Sequence, residues 1–143
     1  MAVSAKVYSK FHLSALAGTV NWGSDSIKVM LCTSTYTPNQ STHQFKSDIT
    51  NEVSGTGYTA TGVALASKTN TTSSLVATFD AADTSWTTST ITARYAIVYD
   101  STPASDATRP LILYVDFGAD VVSSGGTFLI TWDALGILTL TAA

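Results

Sequence analysis

The chain has little charge and almost none of the residue types that usually carry chemistry. Lys and Arg number only 7, Asp and Glu 10, and His 2 among 143 residues, so 12% of the chain is charged, about half the usual ~25%. The cations are scattered and the pI is near 5.0, which excludes a nucleic-acid footprint and a basic membrane-binding patch. Cys32 is the only cysteine. It has no partner for an intrachain disulfide, and its apolar neighbours make it a small packing residue. No apolar run approaches the ~20 residues that cross a bilayer, and MAVSAKVYSKF lacks the apolar stretch of a secretory signal, so synthesis in a cytoplasm is expected.

Motif chemistry is equally sparse. Gly55-Thr56-Gly57-Tyr58-Thr59-Ala60 has the letters of a dinucleotide fingerprint. It is followed by β-formers and Gly62 instead of a helix, so it reads as a turn between strands. No phosphate-loop or nucleophile-elbow motif occurs. The acids are nine Asp and the single Glu52, and Asp80 and Asp83 read as turn-capping side chains in preference to a calcium or catalytic pair. His12 and His43 stand without ligand-spaced neighbours. No catalytic, cofactor-binding or metal-ligating residue is assigned, and an enzyme is not expected.

What is abundant is hydroxyl and β-pattern. Ser and Thr make up roughly 30% of the chain, so neutral hydroxyls cover the surface in place of ions. Period-two alternation recurs at Ile27–Cys32, Leu75–Asp80, Ile91–Tyr99, Leu111–Phe117, Phe128–Trp132 and Ile137–Leu140, with further strands expected near Gln44–Ile49 and Tyr58–Leu65. Ile91, Ala93, Tyr95, Ile97 and Tyr99 should share one face. Turns are expected at Ser54–Gly57, at Ser123–Gly126 and around Gly136, with Trp132 buried by the last of these. Residues 5–17 fit a strand or a helix, with a short helix preferred. The expected architecture is a single β-rich domain over 1–143. It is an all-β, antiparallel β-sandwich or jelly-roll-like barrel of about eight strands, with a possible N-terminal arm at 1–20. In that arm Val3, Val7, Tyr8 and Phe11 either close the sheet or reach onto a neighbour. Tyr36 and Tyr58 fall at strand ends or turns, where an aromatic side chain can meet a partner, so Val3, Tyr8, Phe11, Tyr36 and Tyr58 are the candidate contact residues.

The strings IKVMLCTSTYTPNQSTHQF, NEVSGTGYTATGV, STITARYAIVYDSTP, PLILYVDFG and FLITWDALGI, in this order, resemble a family of small structural proteins of tailed bacteriophages. The likeness runs from about Lys6 to Leu140 and is plainest from Glu52 to Tyr58. One departure is Thr61, where the family pattern has a glycine beside Gly62. The resemblance implies a decoration or cement protein that binds the major capsid protein on the outside of the head as a homo-oligomer, a trimer being favoured. No catalytic residue comes with the resemblance. Two other expectations stand beside it. One is a glycan-binding or adhesive module with Tyr36, Tyr58 or Trp86 as stacking platforms; the other is a head-tail connector or tail component.

Overall fold

The computed structural model describes residues 2–143. Eight strands, one helix of six residues and two single 3-10 turns make up the fold. In chain order the strands are β1 (Ser4–Val7), β2 (Ile27–Cys32), β3 (Val63–Ala64), β4 (Thr69–Ser73), β5 (Val76–Asp80), β6 (Thr84–Asp100), β7 (Leu111–Ile130) and β8 (Leu138–Thr141), with helix α1 (Phe11–Leu16) after β1. They form a five-stranded sheet in the order β1-β7-β6-β2-β3 and a three-stranded sheet in the order β4-β5-β8. Every pairing is antiparallel. The fold is therefore the expected all-β one, two sheets packed face to face, and the short N-terminal helix is present.

Why β2 has no polar face follows from its position. Ile27, Val29 and Leu31 point into the main core between the sheets, where they meet Val98, Ile112, Phe128 and Leu138. Met30 and Cys32 point the other way into a second core with Tyr8, Tyr36, Ile97, Tyr99, Leu111 and Tyr114. The segment after β2 folds back over the outer face of the larger sheet and turns it into a second interior. A strand buried on both faces loses the alternation seen in a half-solvated sheet.

The largest strand pair carries its own correction. Along β6, Ile91 and Ala93 face the main core, yet so do Ala96 and Val98, while Ile97 and Tyr99 face the second core. Tyr95, Ile97 and Tyr99 thus do not share a face with Ile91 and Ala93. A register break between Ala93 and Tyr95 inverts the parity, and β7 absorbs it by looping out residues 117–120 around Gly118 at φ +82°. Asp116 stitches the bulge, accepting from Arg94 Nε at 2.6 Å and from the Gly118 amide at 2.8 Å.

Three further expectations change. Gln44–Ile49 is not a strand, because Asp48 Oδ2 accepts from the Gln44 and Phe45 amides at 2.7 and 3.0 Å and draws Lys46–Asp48 into a 3-10 turn. Ser123–Gly126 is not a reversal; β7 runs through it, with Gly125 at φ +71° in a local irregularity. The turn at Gly136 exists, at φ +107°, but it leads from β7 to a strand of the other sheet, and Trp132 is only half-buried.

Candidate functional site

Of the five aromatic and apolar positions singled out for partner contact, Val3 alone is well exposed, at 64%. Tyr8 and Tyr36 are interior, 0% and 1% exposed. Their hydroxyls meet at 3.0 Å, and that of Tyr36 also meets His43 Nδ1 at 2.8 Å, a chain that pins the segment after β2 to β1. Burial pushes the Tyr8 hydroxyl pKa far above its ordinary value, and neighbouring Tyr36 adds to this. Phe11 packs into the main core from α1. These three residues hold the N-terminal segment down, so the candidate arm 1–20 closes the sheet from Ser4 onward, with Met1 outside the described residues.

Tyr58 is half-buried and engaged through its hydroxyl. It donates to Glu52 Oε1 at 2.7 Å and accepts from the Leu31 amide at 3.1 Å. The same Glu52 oxygen takes the Thr61 amide at 2.5 Å, while the Thr61 carbonyl accepts from Tyr99 and its hydroxyl from Lys28. Glu52 to Gly62 is therefore a clasp laid across β2. Gly57 and Gly62 hold it at positive φ, and a Cβ on Gly62 would come within 1.9 Å of the Val29 carbonyl oxygen. The glycine-containing motif is a turn, as expected.

Two of the three stacking platforms of an adhesive module, Tyr36 and Trp86, are interior. Trp86 is 3% exposed and packs edge-on against Phe128. Tyr36 lies in the second core. Asp83 does not cap its own turn but accepts from the distant Trp132 amide at 3.0 Å, and Asp80 Oδ1 is buried without a partner. Among the described residues no group of three or more His, Cys, Asp or Glu side chains is placed to hold a metal ion. Burial pushes the Cys32 thiol up to about 12, and nearby Glu52 acts in the same direction. A thiol held protonated is a poor nucleophile.

The surface with contact chemistry lies at the open side of the sandwich. An apolar groove of about 490 Å³ runs beside β1 and is lined by Val3, Ala5, Val115, Phe117, Leu129 and Trp132, among others. β1 is the last strand of its sheet and has no strand beyond it. Its register with β7 gives Lys6 and Tyr114 the shared hydrogen bonds, as Tyr8 N donating to Ile112 O at 3.0 Å shows, so Ala5 and Val7 turn their backbone groups outward. Gln40 Nε2 covers the Val7 carbonyl at 2.9 Å. Ala5 and Val3 lie beyond this cover. Leu129, 56% exposed, stands on the wall formed by β7. The sequence reading missed Leu129 and the groove because the apolar alternation of Leu111–Phe117 and Phe128–Trp132 is the same whether the face is covered or open. Comparison with family models, curated proteins and solved structures finds no match to this chain.

Proposed function

We propose that this chain is a non-enzymatic virion structural protein that decorates the head of a tailed bacteriophage by binding its major capsid protein as a homo-oligomer, with a trimer favoured. The observation that carries the reading, together with the family resemblance of the sequence, is the exposed apolar groove beside an uncapped strand edge on a subunit with very few charges. An unpaired strand edge with apolar residues beside it is a surface made for another polypeptide. Ser and Thr hydroxyls supply the polar rim, and contacts of this kind depend little on ionic strength because screening acts on exposed charges. Each bound subunit would bridge neighbouring capsid proteins, and the bound state stabilises the shell by mass action.

The test is co-sedimentation of the purified protein with expanded, undecorated capsids of its phage at low and high salt. Saturable binding at hundreds of copies per particle, unchanged by salt, is the expected result. Absence of binding across the salt range overturns the reading, and a handful of copies per particle makes the chain a connector or tail component instead.

A further inference from the structure

Asp100, the last residue of β6, is 0% exposed, and one of its carboxylate oxygens has found no partner. Its Oδ1 accepts from the Thr102 amide at 2.9 Å, while Oδ2 is buried and unpaired. Asp25, in the turn that precedes β2, is the carboxylate neighbour that acts on it. The two segments cannot drift apart. Ser26 N donates to Thr102 Oγ1 at 2.9 Å, and both the amide and the hydroxyl of Ser101 donate to the Ser26 carbonyl, at 2.9 and 2.7 Å. Asp25 is itself held from its own turn, by the Asn21 amide at 2.6 Å and the Ser24 hydroxyl at 3.2 Å.

We propose that Asp100 carries a proton on its orphaned oxygen, donates it toward Asp25, and so forms an acid-closed latch at this end of the sandwich. Two ionised carboxylates face each other as acceptor against acceptor, and a buried acceptor without a donor is costly. A proton on Asp100 converts the orphaned oxygen into a donor to Asp25 and satisfies both.

The other charged groups nearby do not remove the need for that proton. Lys68, from the segment before β4, donates its ammonium to the main-chain carbonyl of Asp25. Arg109 is committed to the Ser101 and Pro103 carbonyls and to Asp106. A metal ion is the other way to hold two carboxylates together, but no third ligating side chain joins them among the described residues. A cation would also sit close to Lys68. Burial raises the Asp100 pKa, and Asp25 raises it further against the lowering effect of the Thr102 bonds. The stabilisation is accordingly complete in acid, below the ordinary carboxylate range, and is lost as pH rises through the raised folded-state value.

The experiment compares chemical unfolding of wild type, Asp100→Asn and Asp25→Asn between pH 4 and pH 8. Asn at 100 keeps an acceptor for the Thr102 amide and offers an N–H to Asp25, so it copies the protonated acid. In wild type the folding constant should fall with rising pH by up to about tenfold per pH unit while the proton is lost, the limit for one group. Asp100→Asn should lack that part of the slope, and Asp25→Asn should reduce it. Carbon-13 NMR of the wild-type side-chain carboxyls reads the same event without substitution and should place Asp100 above the ordinary Asp range. Equal slopes in wild type and Asp100→Asn, or an Asp100 carboxyl that titrates normally, overturn the latch. So does stabilisation of wild type, but not of Asp100→Asn, by added calcium.

Discussion

Single residues in this protein are constrained mostly by backbone geometry and by buried hydroxyls. Thr61 sits at φ +73° next to Gly62 at φ +78°, the position where the resembled phage family carries glycine. A threonine in the left-handed region costs on the order of 1–3 kcal/mol, and its hydroxyl recovers part of that through Lys28 at 3.1 Å. Thr61→Gly should therefore leave stability within about 1 kcal/mol of wild type, measured by urea unfolding. Gly62→Ala should not be tolerated. With the Val29 carbonyl 1.9 Å from the new Cβ, the loss should reach about 3 kcal/mol or more, a fall in Tm on the order of 10 °C by calorimetry. Glu52→Ala removes the shared acceptor of Tyr58 and Thr61, and the stranded donors should cost about 1–3 kcal/mol. The resemblance is plainest along this same clasp, yet nothing in the letters from Glu52 to Tyr58 says that their side chains are tied to one another and to β2.

At the scale of elements, strands were legible wherever apolar side chains recur with period two. All six of the period-two segments became strands or parts of strands close to their expected positions, because side chains on a pleated strand alternate whatever the rest of the fold does. β4 escaped because Thr69–Ser73 is exposed throughout and carries no apolar residue. The 3-10 turn at Lys46 escaped because Asp48 takes over two backbone donors, an event that period-two counting does not register.

The β6–β7 bulge is held by the Arg94–Asp116 pair, and Lys46 and Arg109 hold Asp106 in the same way under the loop after β6. The Arg94 guanidinium keeps the Asp116 carboxyl below the usual range, as the Lys46 ammonium does for Asp106. Carboxyls lowered in the folded state add stability above their unfolded values and lose it as pH falls through the folded ones. Unfolding should thus set in below about pH 4, and Asp116→Asn should flatten that acid limb in a pH series of thermal melts, opposite in sign to the behaviour of Asp100.

For the whole molecule, the central feature is a small sheet laid on a larger one with an apolar groove left open at the β1 side. Filling that groove with charge separates binding from folding. Val3→Asp and Leu129→Asp lie on exposed positions, so each should leave Tm within about 2 °C of wild type and weaken capsid co-sedimentation by tenfold or more. Tyr36→Ala should do the reverse, destabilising the second core by about 3–5 kcal/mol and affecting capsid binding only through loss of folded protein.

Composition and periodicity alone determined that this is an all-β protein with a neutral hydroxyl surface and one inert thiol, since those properties follow from residue type and from the two-residue repeat of a strand. Which strands sit at edges, which apolar faces are covered and which oxygens are left without a donor were decided only when the chain closed. The segment after β2 folds over the outer face and buries Tyr8 and Tyr36, the bulge at Arg94 swaps the faces of β6, and Ser26 and Thr102 meet across segments more than seventy residues apart in sequence. Long-range packing sets exposure, and the local sequence around an apolar residue is the same on either side of that outcome.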